Sequence, residues 1–164
     1  MPLGETQAAE PDHPGVIAFP PVILASALAV SGLLGFILPM SILPPPLAGP
    51  SLVTGGVAVL AAGVIAISGI LAFRRAGTNI EPHKPALVLV EDGPYRFTRN
   101  PMYLGLLLLH LAISLLGSMD WGLFVFPLFW LTLHHGVVLR EERYLAAKFG
   151  EPYAAYLDRT RRWV

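Results

Sequence analysis

Residues Ser51–Phe73 read SLVTGGVAVLAAGVIAISGILAF, without one charged side chain. A helix crossing the hydrocarbon core of a bilayer needs roughly 20 apolar residues, and this run supplies them unbroken. A second run of the same kind, Val16–Leu38, precedes it, with Pro20 and Pro21 near its start, where a helix tolerates proline best. Its N-terminal flank is acidic rather than basic, unlike a signal peptide. Two shorter apolar runs follow, Pro101–Gly117 and Trp121–Leu139. Gly117-Ser118-Met119-Asp120 between them fits a tight helical hairpin, and Pro127 is expected to bend the last run. The predicted fold class is all-α and integral to the membrane, with four transmembrane helices. Residues 1–15, acidic and terminal, are expected to be a disordered tail. Residues 16–73 are expected to form two transmembrane helices, and 74–164 the region that carries the chemistry.

Composition agrees. The 164 residues are 54% hydrophobic and 13% charged, against about 25% charged in an ordinary soluble domain. A disordered chain, a nucleic-acid binder and a typical cytosolic globule are thereby excluded. With no cysteine, disulfides, thiolate metal sites and cysteine nucleophiles are excluded as well. Small residues recur at every fourth position, Ala27, Ser31 and Gly35 in the first span and Ala58, Ala62 and Ala66 in the second. Such stripes suit close helix–helix contact.

Charge orients the bundle. Every Lys and Arg lies after Phe73. The Pro-rich linker 39–50 and the hairpin at 117–120 hold none, whereas the linker 74–100 and the tail after Leu139 hold all of them. Basic loops stay in the cytoplasm. An even number of spans then places the N-terminus, the 74–100 linker and the C-terminus on that side, and the polar chemistry with them.

The linker carries a short β-branched run, Leu87-Val88-Leu89-Val90, then the turn Glu91-Asp92-Gly93-Pro94, then Tyr95-Arg96-Phe97-Thr98-Arg99-Asn100-Pro101-Met102-Tyr103. Asn100 suits an N-cap and Pro101 a first helical position. The third span would open there with free N–H groups suited to an anion, reinforced by Arg96 and Arg99. Read without a ligand, Asn100-Pro101 only starts the helix and the arginines meet lipid phosphates. The tail extends the fourth span through Arg140-Glu141-Glu142-Arg143-Tyr144-Leu145, with a stop at Gly150 and a short helix over about Pro152–Arg161. Glu141, Leu145 and Phe149 share one face. Glu141 and Glu142 read equally as a solvated pair balanced by Arg140 and Arg143.

Three histidines bear on function. His110 lies mid-span, where an ionisable group is a functional candidate or a neutral tie to another helix. His134 and His135 end the fourth span, seven residues before Glu141 and Glu142. Adjacent side chains diverge by about 100° on a helix, so a metal centre is not expected. Neither a GxGxxG, a GxxxxGK[ST], an HExxH nor a GxSxG pattern occurs.

The segment from Gly93 to Gly105, then Glu141-Glu142, then Phe149-Gly150-x-x-Tyr153-x-x-Tyr156, resembles the isoprenylcysteine carboxyl methyltransferase family. It is most similar to the bacterial members called isoprenylcysteine methyltransferase-like or phospholipid methyltransferase-like. The likeness covers about residues 74–164. It implies an integral membrane, S-adenosylmethionine-dependent methyltransferase acting on a lipophilic small molecule or lipid, set in the bacterial inner membrane. Linker and C-terminal helices would form its cofactor pocket on the cytosolic side. Carried over residue by residue, cofactor binding falls to Leu87, Val88, Leu89, Val90, Tyr95, Asn100, Pro101, Met102, Tyr103 and Glu141. Arg99, Asn100 and Glu142 are the expected catalytic residues, and His135 and Arg140 the expected substrate-binding ones. Asn100 stands where eukaryotic members have His, and Val137 where they have an Arg linked to the prenylcysteine. An NADPH-dependent membrane reductase of the sterol reductase kind and a non-enzymatic scaffold are the competing readings. The acceptor and its O, N or S atom are not legible here, nor is the oligomeric state.

Overall fold

The computed structural model describes residues 12–164. Its principal elements are helices α1 (Pro20–Ile37), α2 (Gly49–Ala76), α3 (Pro101–Leu116), α4 (Asp120–Leu133), α5 (Leu139–Phe149) and α6 (Glu151–Arg159). A 3-10 turn at Gly93–Arg96 precedes α3, and a π-helical turn at His134–Val138 joins α4 to α5. Three helical stretches are long and apolar enough to cross a membrane: α1, α2 and the continuous Asp120–Phe149. Helix α3 is apolar but shorter, at 16 residues. Of the expected tail 1–15, residues 1–11 lie outside the described residues, while 12–15 are held against α5, as set out below.

Local chemistry sets the ends of these helices. Helices α1, α2 and α3 all begin with proline in their first turn, where the missing N–H costs nothing. Helix α2 stops at Gly77, whose φ of +69° lets the Thr78 N–H turn back to the Phe73 carbonyl at 3.2 Å. Arg74 and Arg75 sit in its last turn, opposite the negative end of the dipole. Asn100 departs from its expected capping job: its side chain makes no bond to the start of α3. The Leu87–Val90 run is irregular rather than β-like, and the isolated bridge among the described residues pairs Thr98 with Arg161 in the tail. Helix α4 continues unbroken through Pro127, and the change in helical pairing falls later, at the π-turn.

The helices pack in the order α2, α3, α4, α1, so that α2 and α1 flank the hairpin of α3 and α4. The buried residues of α2 are Ser51, Gly55, Ala62, Gly69 and Ala72, and of the predicted Ala58/Ala62/Ala66 stripe, Ala62 and Ala66 meet α3. Gly105 of α3 lies at that contact. A Cβ there would lie 3.1 Å from both the Ala62 carbonyl oxygen and the Ala66 Cβ. The substitution Gly105→Val is therefore expected to lower stability by about 1–2 kcal/mol through overpacking. Thermal unfolding in detergent should show a lower Tm, and an unchanged Tm would disprove so close an approach.

Buried polar groups fasten the bundle. His110, fully buried, lies 3.0 Å from the Gly122 carbonyl through Nε2 and packs against Phe126 and Phe129. It ties α3 to α4, the second of its two sequence readings. At the end of the bundle away from the linker, Asp120 Oδ1 accepts the Ile42 and Leu43 N–H groups at 3.1 and 2.7 Å. Trp121 Nε1 donates to the Leu38 carbonyl at 2.7 Å. The Pro-rich linker is thus pinned to the α3–α4 hairpin.

Candidate functional site

At the opposite end, the C-terminus of α2, the 79–100 linker, the start of α3 and helices α5 and α6 enclose a cleft. It holds about 840 Å³ of empty space, open solvent at its mouth included. The carboxylate Glu141 faces Tyr103 across it. The Tyr103 hydroxyl donates to Glu141 Oε1 at 2.6 Å, the short length of a charge-assisted bond. Tyr103 is buried, so the bond fixes Glu141, while its second oxygen has no hydrogen-bond partner among the described residues. Tyr95 forms a neighbouring wall, its ring 5.3 Å from that of Phe73. Burial, and after it the Glu141 carboxylate, hold the Tyr95 phenol well above its ordinary pKa of 10, so this wall is neutral. Burial also raises the phenols of Tyr153 and Tyr156.

The C-terminal tail closes a third side. Arg99 N–H donates to the Arg161 carbonyl at 2.9 Å, and Asn100 Nδ2 to the Arg162 carbonyl at 2.9 Å. Arg162 in turn grips Glu142: Nε donates to Oε1 at 2.9 Å and Nη2 to Oε2 at 2.8 Å. Arg99 Nη1 stands 3.6 Å from the same carboxylate. Its buried Nε has no hydrogen-bond partner among the described residues. From α6, the Tyr156 hydroxyl reaches the Tyr95 carbonyl at 2.8 Å.

Val88, Leu89, Val90, Tyr95, Arg99, Asn100, Met102, Tyr103, Glu141 and Glu142 of the expected site all line this cleft. Leu87 does not: it is 59% exposed, and what the linker sets here is its N–H on the Thr78 hydroxyl at 2.9 Å. Pro101 is buried beneath the cleft against Gly69 of α2 rather than lining it. His135 is exposed and lies on a shallow groove along α5 with Arg143. Arg140 donates to the Gly15 carbonyl at 2.8 Å. Among the described residues no group of His, Asp and Glu suits a metal ion.

Several lining residues escaped the sequence reading. Asn79 anchors the linker by donating to the Pro85 carbonyl at 2.9 Å. Tyr144 accepts the Ala86 N–H at 3.0 Å and donates to Asp12 Oδ1 at 2.7 Å. Pro14 supplies part of the wall. The readable signal was the spacing of four from Arg140 to Tyr144 to Lys148, which marks one helix face.

A family model described as phospholipid methyltransferase matches residues 50–152. An uncharacterized protein of Haemophilus influenzae is 44% identical over 66 residues, which are 38% of this chain and the whole of that protein. No solved structure matches.

Proposed function

Since the chain belongs to the phospholipid methyltransferase family, we propose that it is an integral membrane enzyme that takes a methyl group from S-adenosylmethionine and passes it to a lipophilic acceptor. The observation that carries this reading is the Tyr103–Glu141 pair facing neutral Tyr95 in one cleft. In our topology α3 crosses as well, third in chain order, which makes four crossings. Its 16 residues reach about 24 Å, somewhat less than the bilayer core, and the polar linker before it dips to the interface. The cleft then opens to the cytoplasm beside the basic linker and tail, in a bacterial inner membrane.

The residues fit the donor. Its ammonium or ribose hydroxyls suit the second oxygen of Glu141, already oriented by Tyr103. Its carboxylate suits the Arg99 guanidinium in the cleft wall, whose Nε has no bond among the described residues. A sulfonium cation is favoured beside the electron-rich faces of Tyr95 and Tyr103. The backbone of Val88–Val90 and the Met102 side chain bound the rest. When bound, S-adenosylmethionine supplies a methyl group activated by positive sulfur.

The chain's own part is binding, alignment and exclusion of water. Glu141 and the Arg99–Asn100 wall hold the donor from two sides. The tail, fixed by Arg162 on Glu142, keeps Tyr153 and Tyr156 over the cleft. Glu142 is thereby a clasp rather than a free base. An anionic acceptor needs no base, and exposed His135, on the separate groove along α5, is not placed to serve as one.

Calorimetric titration of detergent-solubilised protein with S-adenosylmethionine, S-adenosylhomocysteine and NADPH tests the reading. Saturable binding of the two sulfur compounds and none of NADPH is expected. Folded protein that binds neither sulfur compound, or that binds NADPH instead, overturns it.

A further inference from the structure

Residues 12–17 lie outside the part of the chain that the family model matches, yet they run along α5 and set Pro14 in the wall of the cleft. Their contacts follow one face of the α5 region, a turn at a time. The Ile17 N–H donates to the Gly136 carbonyl at 3.1 Å. Next, Arg140 Nη1 reaches the Gly15 carbonyl at 2.8 Å. Then the Tyr144 hydroxyl donates to Asp12 Oδ1 at 2.7 Å, and Lys148 Nζ reaches both Asp12 oxygens at 2.6 and 2.7 Å. Positions 136, 140, 144 and 148 are the i, i+4 stripe of a helix, and the segment descends it as the helix ascends.

The two ends of the segment differ. At its root, the backbone bond to Gly136 is joined by the Ile17 side chain, which packs directly on that glycine and would have to shift to admit a Cβ. At its tip the ion pair is open to water, with Asp12 56% and Lys148 26% exposed, and exposed pairs are weak and screened by salt. Between them stands Gly15 at φ +59°, a conformation glycine adopts freely. A firm root, a glycine and a labile tip make a segment that swings as a unit. Pro14, in the swinging part, is a wall of the cleft. Tyr144 joins that wall to the opposite one, because its hydroxyl also accepts the Ala86 N–H of the linker.

We propose that residues 12–15 are a latch over the donor cleft, that Tyr144 is the positioning residue joining latch to linker, and that the donor enters and leaves when the latch swings off. The inference rests on the cleft being the donor site. A closed latch slows exchange of a bound nucleoside with water and keeps the methyl group dry. It adds no group to the reaction itself.

The absence of cysteine makes the test clean. In an Asp12→Cys/Lys148→Cys protein, a short bis-thiosulfonate reagent ties the tip to α5, and a reductant frees it. Association and dissociation rates of S-adenosylhomocysteine are read by stopped flow. Both are expected to fall at least tenfold in the tied protein and to recover on reduction. Equal rates in tied and freed protein overturn the proposal. Hydrogen exchange gives a second readout that needs no ligand. Asp12→Ala should raise exchange several-fold at residues 15–17 and leave Ala86 unchanged, whereas Tyr144→Phe should raise both. Unchanged exchange in both variants also overturns the proposal. Should untied protein bind no S-adenosylhomocysteine at all, the donor reading fails and the donor gate with it. Exchange alone then decides whether Asp12 holds that wall.

Discussion

Glu141→Gln is expected to weaken S-adenosylmethionine binding by about 100-fold. The carboxylate sits in a cleft walled by buried tyrosines and holds one strong bond, from the Tyr103 hydroxyl at 2.6 Å. Glutamine keeps the shape and loses the charge. Removing one partner from a largely desolvated charged contact costs about 3 kcal/mol, which is roughly two decades in Kd. Tyr103→Phe should cost less, about tenfold, because it leaves the charge and removes only its orientation. The two losses should not add, since the Tyr103 bond is worth most when its acceptor is ionised. Calorimetry with S-adenosylhomocysteine measures all three proteins, with circular dichroism as the check on folding. A folded Glu141→Gln protein that binds within threefold of wild type would remove Glu141 from the site.

Glu141 was legible in the sequence, and Tyr144 was not, because the family resemblance singled out Tyr103 and Glu141; hydropathy alone placed them at helix boundaries and left Glu141 equally a solvated carboxylate. The same boundaries placed the four apolar helices in order. What hydropathy cannot supply is pairing between distant polar segments. The tail runs beside Thr98 through a few backbone bonds, with no alternation of residues to announce a strand. Asn100 was read as a cap because its neighbours suit one. Its amide bonds the Arg162 carbonyl instead, a partner 62 positions away. On the α2 face toward α3, Gly55 and Gly69 were blurred by the abundance of small residues throughout α2. The π-turn left no mark either, since His134–Val138 reads as ordinary helix. It matters nonetheless: the Gly136 carbonyl within it receives the root of the N-terminal segment.

Arg162→Met is expected to destabilise the protein by roughly 2–3 kcal/mol and to weaken donor binding with it. Glu142 is 14% exposed and takes both of its oxygens' best bonds from Arg162. The remaining cation, Arg99 Nη1, stands 3.6 Å away. Stranding a carboxylate in such a place costs several kcal/mol when fully buried; Arg162 is itself 38% exposed, which lowers the figure. The tail that Arg162 fastens would then loosen, and with it the wall that carries Tyr153 and Tyr156. Neutralising the carboxylate as well should reverse most of the damage, because no carboxylate is left stranded and only Arg99, at the longer 3.6 Å, loses a charge partner. Glu142→Gln/Arg162→Met is therefore expected to recover most of the Tm and most of the turnover lost in Arg162→Met. Here the clasp and the general base part company. A base is lost with its carboxylate, whatever happens to its partner, so the double variant would regain stability without regaining kcat. Thermal unfolding in detergent reads the first quantity, and transfer of a labelled methyl group into a lipid extract reads the second. Recovery of Tm with kcat still down by a hundredfold or more would return Glu142 to the reacting atoms. Recovery of both assigns it to holding the tail, and leaves Glu141 as the carboxylate that meets the donor.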